Sequence, residues 1–277
     1  MTSIFILLIM NSQMSDTMRS KLELTFISIS IIFTLFLFTA ICSLFIIPSP
    51  SGFIESLFSD EMIFALKLTI YTAGISAICV MLVAIPTAYA LSRYNFPLKT
   101  LIKSILDLPM AFPEIVLGLA LLMLFGNTLL GKPLEELGIK IAFTTTGIVI
   151  AQFFVALPFA IRILYSTFNY INTRYEFVSR SLGYSEFETF TNITLPLAKN
   201  GVFASSIVTV ARCIGTFAAV LFIGGGSFMK TETLPIALYL NLSFGNVDMA
   251  LTAGILLVII SFIAIFVLEK FAKGAES

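Results

Sequence analysis

Histidine is absent from this chain, as is tryptophan, and the three cysteines, Cys42, Cys79 and Cys213, form no CxxC pair. These absences remove the ligand sets of structural zinc sites, which rest on closely spaced Cys and His. No clustered nucleophile, base or metal-ligand set stands elsewhere, so an enzyme reading has no chemical support. The cysteines lie in apolar runs and read as small buried thiols. Charge is also scarce: 12% of residues are charged, against about 25% in soluble domains. Sixteen basic and sixteen acidic residues cancel. A net charge of zero gives no whole-chain case for nucleic acid.

What fills the chain is hydrocarbon. Of its 277 residues 58% are hydrophobic, and the mean hydropathy is +1.03. The apolar residues gather in continuous runs, and a helix crosses a bilayer in about 20 residues. Helices also satisfy their own backbone groups in lipid, and the runs do not alternate as barrel strands do. The sequence therefore predicts an all-α integral membrane protein with six spans, at residues 25–47, 62–91, 105–125, 143–165, 202–223 and 249–269. Residues 1–24 form an N-terminal segment and residues 25–277 one transmembrane domain. The opening MTSIFILLIM run is too short to span and has no small-residue cleavage site after it.

Basic residues orient the bundle. Arg19, Lys21, Arg93, Lys99, Lys103, Arg162, Arg174, Arg180, Lys199, Lys270 and Lys273 fall on one side. The alternate loops hold only Lys132, Lys140 and Lys230, among seven acids. Both termini and the long polar segment at 162–201 are expected in the cytoplasm of a multi-pass protein of the inner, cytoplasmic membrane.

That segment reads RILYSTFNYINTRYEFVSRSLGYSEFETFTNITLPLAKNG. Thr173 with Glu176 three residues later has the form of a capping box, and Tyr175, Val178 and Leu182 recur at helical spacing. Gly183 suits a left-handed helix end. A second short helix is expected over about 185–193, with Ser185 as its cap, Glu186 and Glu188 in its first turn, and Leu195-Pro196 breaking it. The aromatic residues Tyr184, Phe187 and Phe190 would project from the resulting knob.

Gly183, nine residues, Ile193, one residue, then Leu195-Pro196: this spacing resembles the cytoplasmic signature loop of ABC-importer permeases. The resemblance extends through PTAYALSRYNFP (Pro86–Pro97), LPMAFPEIVLGLALL (Leu108–Leu122), AQFFVALPFAIR (Ala151–Arg162) and VARCIGTFAAVLFIGG (Val210–Gly225), which are similar to spans of molybdate, tungstate and sulfate permeases. Three features depart from the family pattern. Its Glu-Ala-Ala falls on Phe177-Val178-Ser179, with Glu176 one place early, about 100° of helix rotation away. The fifth span reads IGTFAAV where the oxyanion permeases have GEFGA, and the opening Met1–Ser20 has no counterpart.

The resemblance implies a MetI-like permease subunit that forms a homodimer in the lipid bilayer. Two cytoplasmic ABC ATPases would dock on it and an extracytoplasmic oxyanion-binding protein would deliver cargo. ATP and magnesium would sit on the ATPases, so this chain is expected to carry no cofactor and to be no enzyme. The implied cargo is a tetrahedral oxyanion, molybdate or tungstate first and sulfate next; phosphate, an organic solute, or an ion-coupled carrier are the alternatives. The ATPase contact is expected at Tyr175, Glu176, Phe177, Val178, Ser179, Arg180, Leu182, Gly183, Tyr184, Phe187, Ile193, Leu195 and Pro196.

Charges inside spans carry information because they are expensive there. Arg212 sits near the middle of the predicted fifth span and Glu114 nine residues into the third, so a pairing at similar depth is expected. One reading makes Arg212 a cationic station for an oxyanion, with Glu114 keeping it weak. The other is a structural pair that fixes helix register. Ser205, Thr209 and Thr216 form a small polar stripe, suited either to lining the pathway or to close helix packing. Asp107, seven residues before Glu114, reads as a solvated residue at the cytoplasmic edge. GNTLLGKP (Gly126–Pro133) imitates a phosphate-binding loop, but it lacks the hydroxyl residue after the Lys and has no preceding strand.

Overall fold

The computed structural model describes residues 2–46, 49–126, 128 and 130–274, and among these it is all-helical. Ile47 of the first predicted span, Pro48, Asn127 and Leu129 of the false phosphate loop, and residues 1 and 275–277 lie outside the described set. The chain forms two compact units, Met1–Pro48 and Ser49–Ser277. In the first, α1 (Thr2–Ile46) contains an apolar stretch, Lys21–Phe45, long enough to cross a membrane. The helix runs unbroken from Thr2 through the segment that the sequence separates at residue 24.

The second unit opens with α2 (Pro50–Leu57). Ser49 Oγ accepts from Gly52 N at 3.1 Å, and Pro50 takes the first helical position, where its missing N–H costs nothing. α3 (Asp60–Arg93) is capped by Ser59, with Asp60 and Glu61 in its first turn and Arg93 in its last, each sign matching the helix dipole. Then come α4 (Lys99–Ala111), α5 (Glu114–Phe125), the short α6 (Gly131–Glu136) and α7 (Thr145–Tyr170), capped by Thr144. α8 (Arg174–Ser181) and α9 (Glu186–Thr189) follow; α9 continues through a π-helical turn at Phe190–Thr194 into α10 (Leu195–Leu197). α11 (Lys199–Gly215), α12 (Ala218–Gly224), α13 (Leu234–Ser243) and α14 (Val247–Gly274) complete the unit.

The core lies where α3, α7 and α11 meet. Ala73, Ala84 and Ala88 of α3 face Ala156 and Ala160 of α7, with Cys213 and Ile214 of α11 closing the cluster. Small side chains let membrane helices approach closely, where dispersion rather than water exclusion holds them together. Hydrogen bonds across α3 and α7 fix their register. Ser76 Oγ donates to Gln152 Oε1 at 2.9 Å, and Gln152 Nε2 donates to Thr72 Oγ1 at 3.2 Å.

Three of the predicted spans are unbroken helices: 62–91 within α3, 143–165 largely within α7, and 249–269 within α14. A fourth, 25–47, runs unbroken in α1 as far as Ile46, and the remaining two are broken. The expected third span is α4 and α5, bent by 113° around Phe112-Pro113. Pro113 has no N–H and caps α5, so the two half-helices do not share a hydrogen-bond ladder. The fifth span divides at Thr216-Phe217 into α11 and α12, and a 74° bend at Ala198 separates α11 from the hairpin before it. α13, which the sequence reading leaves as loop, packs against α14 and α3 through Leu234 and Ala237. Gly225 and Gly226 form a turn in the left-handed region.

Candidate functional site

The hairpin from α8 to α10 has an exposed apolar face and a polar, internally bonded root. α8 ends in a Schellman arrangement: Gly183, at φ +94, donates its N–H to Arg180 O at 3.1 Å, and Tyr184 donates to Ser179 O at 3.3 Å. Ser185 then starts α9 with a complete capping box, Glu188 N donating to Ser185 Oγ and Ser185 N donating to Glu188 Oε2 at 2.8 Å. Those backbone and hydroxyl bonds hold the Glu188 carboxyl below the usual carboxylate range. Ser179 and Thr189, both buried, share a 3.0 Å hydrogen bond that ties the two arms together.

Two sequence expectations need correction here. Thr173 makes no side-chain cap; Arg174 N donates instead to Asn172 Oδ1. Glu176 is therefore free of a capping role, and its carboxylate turns to Arg93, whose Nε donates to both oxygens at 2.9 and 3.0 Å. Thr194 Oγ1 donates to the same carboxylate at 3.0 Å, and Arg93 Nη2 donates to Ile171 O at 3.1 Å. The side chains are 8% and 12% exposed, so this is a nearly buried pair joining the end of α3 to both arms of the hairpin. Phe190 does not project outward either. It packs on Tyr89, ring centroids 4.7 Å apart, beside Phe168. The π turn ending at Thr194 has a local cause, since the Pro196 ring would meet the carbonyl of Asn192 in a regular helix.

Outward, the hairpin presents Tyr175, Phe177, Val178, Leu182, Tyr184 and Phe187, all exposed, with Arg180 bridging to Glu186 at 3.2 Å. Ile193 and Leu195 are half-buried and Pro196 exposed. A cleft of about 760 Å³ opens behind this face, between the hairpin and Tyr89, Arg93 and Tyr94 of α3 and its end.

The second constellation stands at the helix breaks. Arg212 Nη1 lies 3.9 Å from Glu114 Oε1, so the expected pair exists, though not through equal depth in two continuous spans. Glu114 occupies the first turn of α5 and Arg212 the last turn of α11, each at the helix end that favours its sign. The guanidinium also stacks on Phe159, 3.9 Å from the ring centroid. Both side chains remain open, 44% and 33% exposed. A long, half-exposed contact leaves much of the guanidinium available to another anion. The polar stripe behaves differently. Ser205, Thr209 and Thr216 are buried and bond to Ala160 O, Ser205 O and Arg212 O, within the helix packing. Asp107 is on α4, across the bend, and shares no helical face with Glu114.

Sequence reasoning missed a carboxyl pair at the opposite end of the bundle. Glu232, 1% exposed, accepts from Met229 N at 3.2 Å beside Glu61, which accepts from Asn241 Nδ2 at 2.6 Å. Burial, opposed by the Met229 bond and reinforced by the Glu61 carboxylate, pushes the Glu232 carboxyl up to about 7. Only the acidic character of that loop was visible beforehand.

The fold matches the crystal structure of a bacterial ABC transporter involved in the import of the acidic polysaccharide alginate, with TM-score 0.76 over 94% of this chain and 97% of that one at 16% identity. It also matches an inward-facing MetNI methionine ABC transporter, with TM-score 0.61 over 79% and 99% at 18% identity. In sequence, the chain is 36% identical to the sulfate transport system permease protein CysW of Synechococcus elongatus over 67% of its length, spanning 65% of that relative. It is 35% identical to the molybdenum permease ModB of Mycobacterium tuberculosis over 71% of this chain and 75% of that one. It is 31% identical to the molybdate/tungstate permease WtpB of Methanocaldococcus jannaschii over 83% and 90%. Residues 80–276, well over half of the chain, match a single family, and the protein belongs to it: the binding-protein-dependent transport system inner membrane components.

Proposed function

We propose that this chain is the membrane-spanning subunit of an ATP-driven importer for a tetrahedral oxyanion, molybdate or tungstate first and sulfate next. The observation that carries the cargo class is that relatives at 31–36% identity are named as permeases for sulfate, molybdate and tungstate. The half-open Arg212 at the helix breaks agrees with it. Non-helical backbone at membrane depth is tolerated where it lines a cavity or is buried in protein, and discontinuous helices mark substrate sites in other transporters. A single guanidinium, weakened by Glu114, gives a divalent anion a place to pause without trapping it.

The one-sided distribution of basic residues supports a cytoplasmic location for both termini and the hairpin. There the exposed aromatic face of α8 and α9 is the docking surface for an ATPase subunit that holds ATP and magnesium. Two copies of the chain enclose one pathway, two ATPases drive it, and an extracytoplasmic binding protein selects the anion. Hydrolysis is the partner's chemistry. The direct test is purification of the complex through this subunit, followed by ATPase assay with binding protein and candidate anions. Stimulation by molybdate, tungstate or sulfate supports the reading. A complex that lacks an ATPase overturns it, and stimulation by organic solutes alone displaces the cargo.

A further inference from the structure

A polar cavity of about 390 Å³ lies between the second turn of α4 and the last two turns of α7, close to where α7 enters the hairpin. Its polar lining comes from two helical faces. Arg162, Tyr165, Ser166 and Asn169 recur at i, i+3, i+4 and i+7 on α7, and Lys103 and Asp107 at i and i+4 on α4. Leu91, Leu106 and Ile161 supply the apolar part. Lys103 Nζ stands 4.1 Å from the Tyr165 ring centroid, a cation–π contact that keeps the ammonium over the cavity.

The charges in this cavity are not used up by one another. Arg162 makes no ion pair and no hydrogen bond among the described residues, and Asp107 lining the same space makes none either. A guanidinium and an ammonium thus face one cavity with hydroxyl and amide donors between them. The local sum of two cations and one carboxylate is positive. Planar guanidinium and point-charge ammonium, assisted by hydroxyls, are the donor set that recognises tetrahedral oxyanions.

We propose that this cavity is a second anion site, which takes a sulfate- or phosphate-like tetrahedral group between Lys103 and Arg162, with Asp107 holding its affinity low. It rests on the oxyanion reading in one respect: a free divalent oxyanion there would be cargo leaving on the cytoplasmic side, downstream of Arg212. The same chemistry is offered by the phosphate of an anionic phospholipid, and the two sources separate by experiment.

The test uses the purified permease–ATPase complex without binding protein, so that delivery plays no part. Radiolabelled sulfate and inorganic phosphate are the probes, in nanodiscs of phosphatidylcholine or of phosphatidylglycerol. Wild-type complex is expected to bind sulfate and phosphate in phosphatidylcholine. The double variant K103Q/R162Q should weaken that binding roughly ten-fold or more, the scale of one lost charge-assisted hydrogen bond. D107N should tighten it, an opposite shift that misfolding cannot imitate. If phosphatidylglycerol abolishes sulfate binding to wild type, and native mass spectrometry finds that lipid retained by wild type and lost by the double variant, the occupant is the headgroup. If sulfate binding is indifferent to lipid, the occupant is the free anion. Equal binding of both probes and of lipid by wild type and K103Q/R162Q, or no binding by either, overturns the site. Should no oxyanion stimulate the ATPase while K103Q/R162Q still loses phosphate, the cavity stands and only the cargo assignment falls.

Discussion

At the scale of single residues, the informative groups are charges held where charge is costly. Glu232 is the clearest. Its carboxyl titrates at about 7 in the folded protein against an ordinary 4.5, so folding takes up a proton between those values. A raised acid contributes its full stability at low pH, and that contribution is lost as pH rises from the ordinary value through the raised one. Thermal unfolding followed from about pH 5 to about pH 8 should therefore show falling stability. Glu232→Gln, which mimics the protonated acid and keeps an acceptor for Met229 N, should flatten the profile and leave the variant the more stable at the alkaline end; an unchanged slope refutes the assignment. Arg212 and Glu114 call for a functional readout because both are too exposed for a stability argument. Arg212→Gln should slow oxyanion transport per folded complex, whereas Glu114→Gln should lower the apparent KM and turnover together by tightening the site. If both variants reduce expression while transport per complex is unchanged, the pair only fixes helix register.

At the scale of elements, what could be read beforehand was what is local. The left-handed Gly183 and the Ser185 cap follow from nearest-neighbour chemistry, and α3, α7 and α14 follow from uninterrupted hydropathy. The breaks do not, because hydropathy is indifferent to backbone geometry and proline is ambiguous. Pro86 and Pro158 sit inside continuous helices, Pro113 stands at the N-cap of α5, and the break at Thr216-Phe217 has no proline at all. α13 is too short to cross a membrane and so passes for a loop, although Thr233-Leu234-Pro235 carries a helix-start pattern. Periodicity alone turns Phe190 outward because it cannot see Tyr89, which belongs to a different helix. The half-helices also meet closely: a Cβ added at Gly118 of α5 would lie 2.8 Å from Ala219 Cα of α12, a backbone atom that cannot rotate away. Gly118→Ala should cost about 1–3 kcal/mol through that overpacking. Gly74→Ala on α3, with nothing within 4 Å, should be neutral or stabilising by up to about 1 kcal/mol. Denaturation of the two purified variants side by side separates a true contact from general glycine sensitivity.

For the whole molecule, the question is how a push on the hairpin reaches the breaks in the bundle. The exposed aromatic face of α8 and α9 can be moved only as a unit if its root is fixed, and the root is fixed by Arg93, Glu176 and Thr194 together with the Tyr89–Phe190–Phe168 cluster. Arg93 ends α3, and α3 packs along α7, whose Phe159 stacks on Arg212. A contiguous run of packed groups thus joins the exposed aromatic face to the helix breaks, the kind of network that can carry energetic coupling between two sites. Glu176→Gln removes the charge from one member of a nearly buried pair and leaves the guanidinium uncompensated, a loss of about 3 kcal/mol or more in such settings. None of the outward aromatic side chains is altered, so the ATPase should still co-purify. The expected phenotype is uncoupling: basal hydrolysis is retained while anion transported per ATP falls several-fold. Thr194→Ala, which removes one hydroxyl donor worth about 1 kcal/mol, should give a weaker form of the same defect. Proteoliposomes measured for hydrolysis and uptake in parallel decide it. A Glu176→Gln complex with wild-type coupling would mean that the hairpin moves independently of α3, and that force enters the membrane by another route.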